Sequence, residues 1–159
     1  MAVQTGQQAP DFTLYSDQKE PFTFSEQRDG QHTVLLFFPG AFTGTCTEEM
    51  CTANDDLSTY RNLDAQVVGI SADAPAVLSE FKKQNGLDFM LLSDHHGEAS
   101  AMYGAQFSTE EHNLGYDRIA KRAAFVVDSE GVVRYVEVLD NPTNLPDFDA
   151  IQRTLKDLQ

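Results

Sequence analysis

An apolar run that is cut off by Pro39-Gly40 and followed by a helical pattern constrains this chain more than any other feature. The run, Val34 to Phe38, predicts a buried strand, because Pro stops strands and Pro-Gly opens loops. After the loop, apolar residues recur at steps of four and three: Cys46, Met50, Ala53, Leu57 and Tyr60. This spacing predicts one face of an amphipathic helix. The chain is therefore expected to be built around a strand, a loop and a helix that begins beside a cysteine.

The start of this helix is predicted at Thr45. Threonine is a favoured N-cap, and Glu48 three residues later completes a capping-box pattern. Cys46 would then be the first helical residue, where unpaired backbone N–H groups and the helix dipole favour a thiolate over a thiol. Glu48 and Glu49 oppose this by like charge, so stabilising the thiolate requires a cation from elsewhere in the chain.

A second cysteine, Cys51, lies five residues after Cys46. In an intact helix this spacing separates the two by about 140° around the axis and about 7.5 Å along it. Disulfides need Cα atoms about 4.4 to 6.8 Å apart. The spacing therefore predicts either an unrelated pair of cysteines or a disulfide that forms only when the first turns of the helix unwind.

The rest of the chain alternates strand and helix signals. The helix pattern extends to about Asn62 and is followed by a second apolar strand, Gln66 to Ser71, which predicts a parallel pair joined by a right-handed crossover. The other predicted elements are an N-terminal hairpin from Ala9–Leu14 and Phe22–Ser25, a helix over Ala74–Gln84 ended by Gly86 with Val77, Leu78 and Phe81 inward, a strand over Phe89–Ser93, a short helix over Glu98–Tyr103, an exposed loop over Gln106–Asp117, a hairpin from Ala123–Asp128 and Val132–Val138, and a closing helix with Phe148, Ile151, Leu155 and Leu158. Together they predict an α/β fold with a mixed central sheet flanked by helices and an N-terminal β-hairpin addition.

Composition and charge limit the classes of function. The 159 residues, 41% of them hydrophobic, suit a single domain over residues 1–159. A net charge of −14 argues against binding nucleic acid or an anionic membrane, because neutralising phosphates needs basic patches. No apolar run spans a bilayer and no signal-like segment opens the chain, so a cytoplasmic protein is expected. No metal and no cofactor are expected, since the histidines lack ligand spacing and no phosphate loop or dinucleotide fingerprint is present.

A composite motif in the central stretch resembles a known family. Pro39, Thr43 and Cys46 stand as P-x-x-x-T-x-x-C, and with the preceding F-F and the following Glu49 they resemble the active-site signature of the peroxiredoxins. The spacing C-T-E-E-M-C is similar to the bacterioferritin-comigratory-protein, or Q-type, branch, in which the second cysteine resolves the first. The stretch F-F-P-G-A-F-T-G also resembles a neighbouring one-cysteine, AhpE-like branch. The resemblance implies a thioredoxin-like fold over nearly the whole chain.

The resemblance also implies a thiol-dependent peroxidase. In such an enzyme the Cys46 thiolate attacks hydrogen peroxide or a small organic hydroperoxide and becomes a sulfenic acid. Cys51 then condenses with it, and thioredoxin or a similar dithiol reduces the disulfide. At the matching family positions, the Thr43 hydroxyl orients thiolate and peroxide and Pro39 shields the thiolate from water. A homodimer is compatible with this interpretation.

The cation that Cys46 needs is best supplied by Arg122, which immediately precedes the predicted strand Ala123–Asp128. Adjacent strands can bring its guanidinium to the loop before the helix, and R-A-A-F-V-V-D resembles the family segment with the active-site arginine. Arg118 and Lys121 are competing candidates. Glu49 is either a surface acid of the helix or, as at the matching family position, a residue that orients the arginine.

Other interpretations remain open at this point. A lone cysteine on an apolar helical face is more often a small buried hydrophobic residue than a nucleophile. A disulfide reductase of the same fold would separate its cysteines by two residues, whereas four intervene here. A protein of another class, a redox-switched interaction protein, would use a Cys46–Cys51 bond to unwind a helix and expose a partner surface.

Overall fold

The computed structural model describes residues 3–108 and 118–159. Within these residues the strands are β1 (Thr13–Ser16), β2 (Pro21–Thr23), β3 (His32–Phe37), β4 (Ala65–Ser71), β5 (Met90–Ser93), β6 (Arg122–Val127) and β7 (Val133–Leu139). The α-helices are α1 (Gly44–Asp55), α2 (Leu57–Asn62), α3 (Pro75–Asn85), α4 (Glu98–Met102) and α5 (Phe148–Asp157), and a 3-10 turn covers Phe24–Glu26.

The strands form one mixed sheet in the order β2-β1-β5-β4-β3-β6-β7. β3 and β4 are parallel neighbours joined through α1 and α2, as the strand-helix-strand pattern predicted. β1 pairs antiparallel with β2, and β6 pairs antiparallel with β7, so both predicted hairpins are confirmed. The α/β class with a mixed sheet and an N-terminal hairpin is therefore confirmed.

Side chains alternate along each strand, so they lie on both sides of the sheet, and both sides are buried. On the side called here the first face, Val34 and Leu36 of β3 pack with α1, α2, α3 and α5. On the opposite side, called here the second face, Leu35 and Phe37 pack with residues of the N-terminal segment and α4. The cysteine helix therefore covers the first face, at the middle of the sheet.

Gly69 in β4 lets α1 lie close to the sheet. A Cβ atom added at this position would lie 2.6 Å from Leu91 Cδ2 and 3.2 Å from Met50 Sδ. Real Cβ atoms do not come within 2.6 Å of another atom, so a larger residue would displace the Leu91 side chain and crowd Met50. The predicted inward face of the helix is confirmed, since Cys46, Met50, Ala53, Leu57 and Tyr60 are all buried.

The predicted helix start at Thr45 is wrong. α1 begins at Gly44, and Thr43 is its N-cap, with an extended backbone at φ −100° and ψ 153°. The predicted capping box does not form, because the N-cap is Thr43, and its side chain makes no capping hydrogen bond within the described part of the chain. Instead the Thr43 hydroxyl donates to Gly40 O at 2.8 Å. This bond turns the loop so that the N-cap lies two residues before the predicted N-cap, Thr45. Cys46 is thus the third helical residue rather than the first.

The predicted helix over this region is also divided in two. Asp56, at φ −98° and ψ 12°, leaves the helical conformation and separates α1 from α2. In α3, Leu78 and Phe81 are buried, but Val77 is 39% exposed and its predicted inward position is wrong. α3 buries a narrow stripe, and Val77 lies about 100° around the axis from Leu78, which takes it out of that stripe. Gly86 ends α3 in the left-handed conformation, as predicted.

The predicted loop over Gln106–Asp117 lies largely outside the described residues, at 109–117. Its first part is not an exposed loop, since Phe107 is buried and its N–H donates to Ile119 O at 3.0 Å. Gln106 forms an isolated antiparallel bridge with Ala120. Within residues 3–108 and 118–159, no helix has the length and apolar character that crossing a membrane requires.

Candidate active site

Cys46 lies buried in the first turn of α1, with 1% of its surface exposed. The first backbone hydrogen bond of the helix runs from Thr47 N to Thr43 O at 2.9 Å. The N–H groups of Gly44, Thr45 and Cys46 precede this bond, so the helix itself provides them with no acceptor. The first turn therefore favours negative charge at its N-terminal end, where the sulfur is located.

The sheet brings Arg122 to this sulfur. β6 runs antiparallel to β3 and pairs Ala123 with Phe37, so Arg122 lies beside the end of β3 where the loop to α1 begins. Side-chain alternation places Arg122 on the first face with Ala124 and Val126. Its Nη1 donates to Cys46 Sγ at 3.3 Å. The structure thus places a buried guanidinium where the sequence predicts a cation.

The two competing cations lie elsewhere. Lys121 Nζ is 2.9 Å from Asp140 Oδ1 and 5.8 Å from the centre of the Phe107 ring. Arg118 lies against Gly97 at the start of α4. The alternation of β6 separates Lys121 from Arg122, because successive residues of a strand point to opposite faces. Among the described residues, Arg122 is the basic side chain that contacts Cys46.

Glu49 completes a buried cluster with Cys46 and Arg122. It is fully buried, and its Oε1 accepts a hydrogen bond from Arg122 Nη1 at 2.6 Å. Burial raises the pKa of Glu49 to about 8, against the opposing influence of the Arg122 charge and hydrogen bond. Glu49 Oε2 has no hydrogen-bond partner among the described residues. Its position three residues after Cys46 puts it on the same helical face, which is the sequence signal for its burial.

Arg122 is held at its other end by the chain that follows β7. Nη2 donates to Pro142 O at 2.8 Å, while Nε has no partner among the described residues. Burial works against the charged guanidinium, but Glu49 and Cys46 outweigh it and raise the pKa of Arg122. One buried cation therefore faces two groups that can carry negative charge. The Pro142 contact could not be predicted, because a backbone carbonyl has no residue-type signal.

The remaining predicted site residues surround this cluster without joining it. Thr43 is exposed at the N-cap of α1, and its hydroxyl donates to Gly40 O rather than to Cys46. Pro39 is half-buried in the loop that leads into α1. Cys51 is half-buried on α1, with Sγ 3.9 Å from Asn85 Oδ1. Both cysteines are free, and the intact helix keeps them apart.

Comparison with known proteins agrees with this geometry. The sequence model of the AhpC/TSA family matches residues 5–136. The chain belongs to the AhpC/TSA family. Alkyl hydroperoxide reductase E of Mycobacterium tuberculosis is 36% identical over 138 residues, covering 86% of each chain. Peroxiredoxin Bcp of Bacillus subtilis is 32% identical over 162 residues, covering 99% of this chain and 98% of the relative.

Solved structures show the same architecture. The crystal structure of peroxidoxin BcpB from Mycobacterium tuberculosis has a TM-score of 0.88 at 29% identity and covers 99% of both chains. A peroxiredoxin-like protein from Aquifex aeolicus has a TM-score of 0.88 at 22% identity, which shows the fold. The predicted peroxiredoxin family and thioredoxin-like fold are therefore confirmed. This member of the family is a thiol peroxidase that acts on peroxide.

Proposed function

We propose that Cys46 is the peroxide-reducing residue of this thiol peroxidase. Its thiolate attacks one oxygen of a hydroperoxide, the O–O bond breaks, and the leaving oxygen takes up a proton to become water or an alcohol. Cys46 is oxidised to a sulfenic acid. The observation that carries the proposal is the buried sulfur in the first turn of α1, 3.3 Å from Arg122 Nη1.

The other residues of the site have distinct roles in this proposal. Arg122 stabilises the thiolate and the charge that develops on the peroxide oxygens. Glu49 fixes the guanidinium through its 2.6 Å hydrogen bond. Pro39 shields the thiolate from water, and Thr43 offers its hydroxyl to the peroxide. While it donates to Gly40 O, the Thr43 hydroxyl oxygen can still accept a hydrogen bond from the peroxide O–H.

Cys51 is the proposed resolving residue. Its thiol attacks the sulfenic sulfur, a disulfide forms, and the sulfenic oxygen leaves as water. Because the intact helix keeps the cysteines apart, the first turns of α1 must unwind for this step. The absence of a side-chain cap at the start of α1 favours unwinding, whereas the burial of Met50 and Ala53 opposes it.

Recycling needs an external reductant. We propose a thioredoxin-like dithiol, which reduces the Cys46–Cys51 disulfide by two successive exchanges and is itself oxidised to a disulfide. Hydrogen peroxide and small organic hydroperoxides are the proposed substrates, and the name of the 36% identical alkyl hydroperoxide reductase E supports the latter. The homodimer, the single domain over residues 1–159 and the cytoplasmic location stay predictions.

One observation favours a second candidate, the one-cysteine mechanism. Cys51 lies outside the Cys46–Glu49–Arg122 cluster, and its sulfur lies near Asn85. In that mechanism Cys51 does not resolve Cys46, and an external thiol reduces the sulfenic acid directly.

The test is mass spectrometry after one equivalent of hydrogen peroxide, on the wild type, Cys51→Ser and Cys46→Ser. The wild type should lose two hydrogens, and its helical circular dichroism should fall until a dithiol restores it. Cys51→Ser should gain one oxygen, and a second oxygen under excess peroxide. Cys46→Ser should remain unmodified and should consume no peroxide.

Three other outcomes separate the alternatives. Peroxide turnover retained in Cys46→Ser would refute the assignment of Cys46. Oxygen addition without hydrogen loss in the wild type, at unchanged helicity, would make Cys51 a bystander. A single oxidation with no steady turnover in the presence of a recycling dithiol would favour the redox-switched interaction protein.

A further inference from the structure

A carboxylate outside the cluster holds the loop that leads into α1. Asp73 Oδ2 accepts a hydrogen bond from Ala41 N at 2.8 Å and a second from the Ser71 hydroxyl at 2.7 Å. The Asp73 N–H donates in turn to Ser71 Oγ at 3.3 Å. Asp73 is therefore oriented by Ser71 and joins the backbone of the active-site loop, residues 39–43, to the segment after β4.

The topology of the sheet explains this contact. β3 and β4 are parallel and pair Phe37 with Ile70, so both strands end at the same edge of the sheet. The pairing continues one residue further, because Phe38 N donates to Ile70 O at 2.9 Å. The active-site loop then leaves β3 at the place where Asp73 follows β4.

The active-site loop contains an unfavourable backbone conformation. Phe42 has φ of +65°, a left-handed conformation that a bulky residue seldom adopts. Its ring is 50% exposed and makes an edge contact with Phe81, with 5.4 Å between the ring centres. Such conformations persist only when the surrounding structure holds them. The N–H of Ala41, the residue before Phe42, donates a hydrogen bond to Asp73.

Few other contacts hold this loop from outside. The Thr43 hydroxyl bonds to Gly40 O, which lies within the loop, and Thr47 bonds to Thr43 from within α1. Among the described residues, the bond from Ala41 N to Asp73 is the hydrogen bond that joins residues 39–43 to a part of the chain beyond the loop and α1. Removing it would leave the Phe42–Phe81 ring contact and the packing of Ala41 on the core of the first face to fix the loop.

We propose that Asp73 is a positioning residue for the attack of Cys46 on peroxide. By fixing Ala41 it holds Pro39 and Thr43 where the peroxide must bind. Among the described residues, Asp73 forms no hydrogen bond or ion pair with Cys46, Glu49 or Arg122, so it takes no part in the contacts that stabilise the Cys46 thiolate. Asp73 therefore acts on the reaction with peroxide and leaves the general reactivity of the thiolate unchanged.

The test compares two rate constants of Cys46, one for oxidation by hydrogen peroxide and one for alkylation by iodoacetamide. In Asp73→Ala the first should fall roughly 10- to 100-fold, because small misplacements of reacting groups have effects of this size. The second should change by less than about twofold. Asp73→Asn should stay close to the wild type for both, since its amide oxygen still accepts both hydrogen bonds.

Two further variants complete the series. Ser71→Ala removes the hydroxyl that orients Asp73 and should slow oxidation to an intermediate extent. Asp88→Ala is the matched control, because Asp88 is exposed and its carboxylate forms no hydrogen bond or ion pair with the described residues, so the same charge is lost without touching the loop. Its two rate constants should equal those of the wild type.

Several outcomes would overturn the proposal. Asp73→Ala oxidised at the wild-type rate would show that the loop does not need the carboxylate. Asp73→Asn as slow as Asp73→Ala would show that the charge matters and the geometry does not. Equal losses in oxidation and alkylation would point to the thiolate itself. Should Asp73→Ala fail to fold, Ser71→Ala decides, and a wild-type oxidation rate in that variant overturns the proposal. None of these outcomes depends on Cys51.

Discussion

The two faces of the central sheet are both buried, yet they are built differently. On the first face, three buried polar atoms have no hydrogen-bond partner among the described residues: Glu49 Oε2, Arg122 Nε and the Tyr60 hydroxyl. On the second face, Phe12, Phe24, Phe37, Tyr103 and Phe125 form a continuous aromatic cluster with ring centres 5.1 to 6.1 Å apart. The Tyr103 hydroxyl on that face donates to Pro10 O at 2.6 Å.

This difference separates stability from chemistry. Aromatic contacts add to the free energy of folding without introducing charge. A buried cation with two acidic neighbours opposes folding, because each charge loses its hydration. This desolvation cost falls on the first face, where the thiolate needs a dry, positively charged environment to react. The packing of the second face offsets this cost in the free energy of folding. Substitutions on the two faces should therefore have different effects.

The largest effect is expected from Arg122→Ala. It removes the donor to Cys46 and should slow oxidation by hydrogen peroxide about 10²- to 10³-fold. It also leaves the carboxyl of Glu49 buried without its hydrogen-bond donor, which should lower the free energy of unfolding by about 1–3 kcal/mol. Stopped-flow oxidation and urea denaturation measure the two effects.

Arg134→Ala is the matched control for Arg122→Ala. Arg134 Nε donates to Asp128 Oδ2 at 2.7 Å, but the Arg134 side chain is 45% exposed. Its loss should lower stability by only about 0.2–1 kcal/mol and should leave oxidation unchanged. Equal behaviour of the two variants would contradict the special role of the first face.

On the second face, Phe24→Ala should separate the two properties. Phe24 is fully buried, so its truncation should lower the free energy of unfolding by about 3–5 kcal/mol. Oxidation of Cys46 well below the melting temperature should stay within about twofold of the wild type. Tyr15→Ala, at a residue of β1 that is 57% exposed, should change stability by no more than about 0.5 kcal/mol. If Phe24→Ala lost oxidation rate as well as stability, the two faces would not be independent of each other.

Glu49 should make stability depend on pH. Its pKa is raised from 4.5 to about 8 in the folded protein, so between these values the folded state binds more protons than the unfolded state. Stability should therefore fall as the pH rises from about 5 to 8. Since one pKa unit corresponds to about 1.4 kcal/mol, the fall can reach a few kcal/mol. Denaturation at several pH values should show a flatter profile in Glu49→Gln, which keeps an acceptor for Arg122.

The adjacent residue provides the control for this profile. Glu48 is exposed, and Glu48→Gln should reproduce the wild-type dependence on pH. A profile that stayed steep in Glu49→Gln would assign the titration to another group. Glu137 is then the first to examine, since its charge also raises the pKa of Glu49.

The smallest effect is expected from a pair of tyrosines. Tyr103→Phe leaves Pro10 O without its donor and should lower stability by about 1 kcal/mol. Tyr60→Phe removes a hydroxyl that has no hydrogen-bond partner among the described residues, because the nearby Gln152 amide donates to Asp56 instead. It should change stability by less than about 0.5 kcal/mol, or raise it. Thermal unfolding of both variants measures the contrast, and a larger loss in Tyr60→Phe would contradict it.

The sequence predicts the architecture well where its signals are periodic. The four-three spacing over α1 and α2 predicted the burial of Cys46, because this pattern repeats over several residues. The position of Arg122 was predicted from its place just before an apolar strand and from the resemblance of R-A-A-F-V-V-D to the family segment. The start of α1 could not be found in this way. The pair Thr45 and Glu48 satisfies a capping-box pattern, but the hydrogen bond from Thr43 to Gly40 O decides where the helix begins.

The contacts between distant segments were beyond prediction for a different reason. Asp73 reaches the site because β4, the parallel neighbour of β3, ends beside the loop to α1, and Pro142 reaches it because β7, the neighbour of β6, ends beside Arg122. Nothing in the residues around them shows this without the strand order. Glu49 was expected either on the helix surface or beside the arginine, and its complete burial follows from the depth at which α1 packs over Gly69.

The interruption at Asp56 has a consequence for how the molecule opens. Helical hydrogen bonds form and break cooperatively, so one continuous helix would tend to melt as a whole. With the backbone out of the helical region at Asp56, fraying that starts at Gly44 meets a boundary before Leu57 and Tyr60. The amides of α1 should then exchange with solvent as a separate unit, at a lower free energy than the sheet beneath them. The helix that carries both cysteines can unfold locally while α2 stays packed on β4.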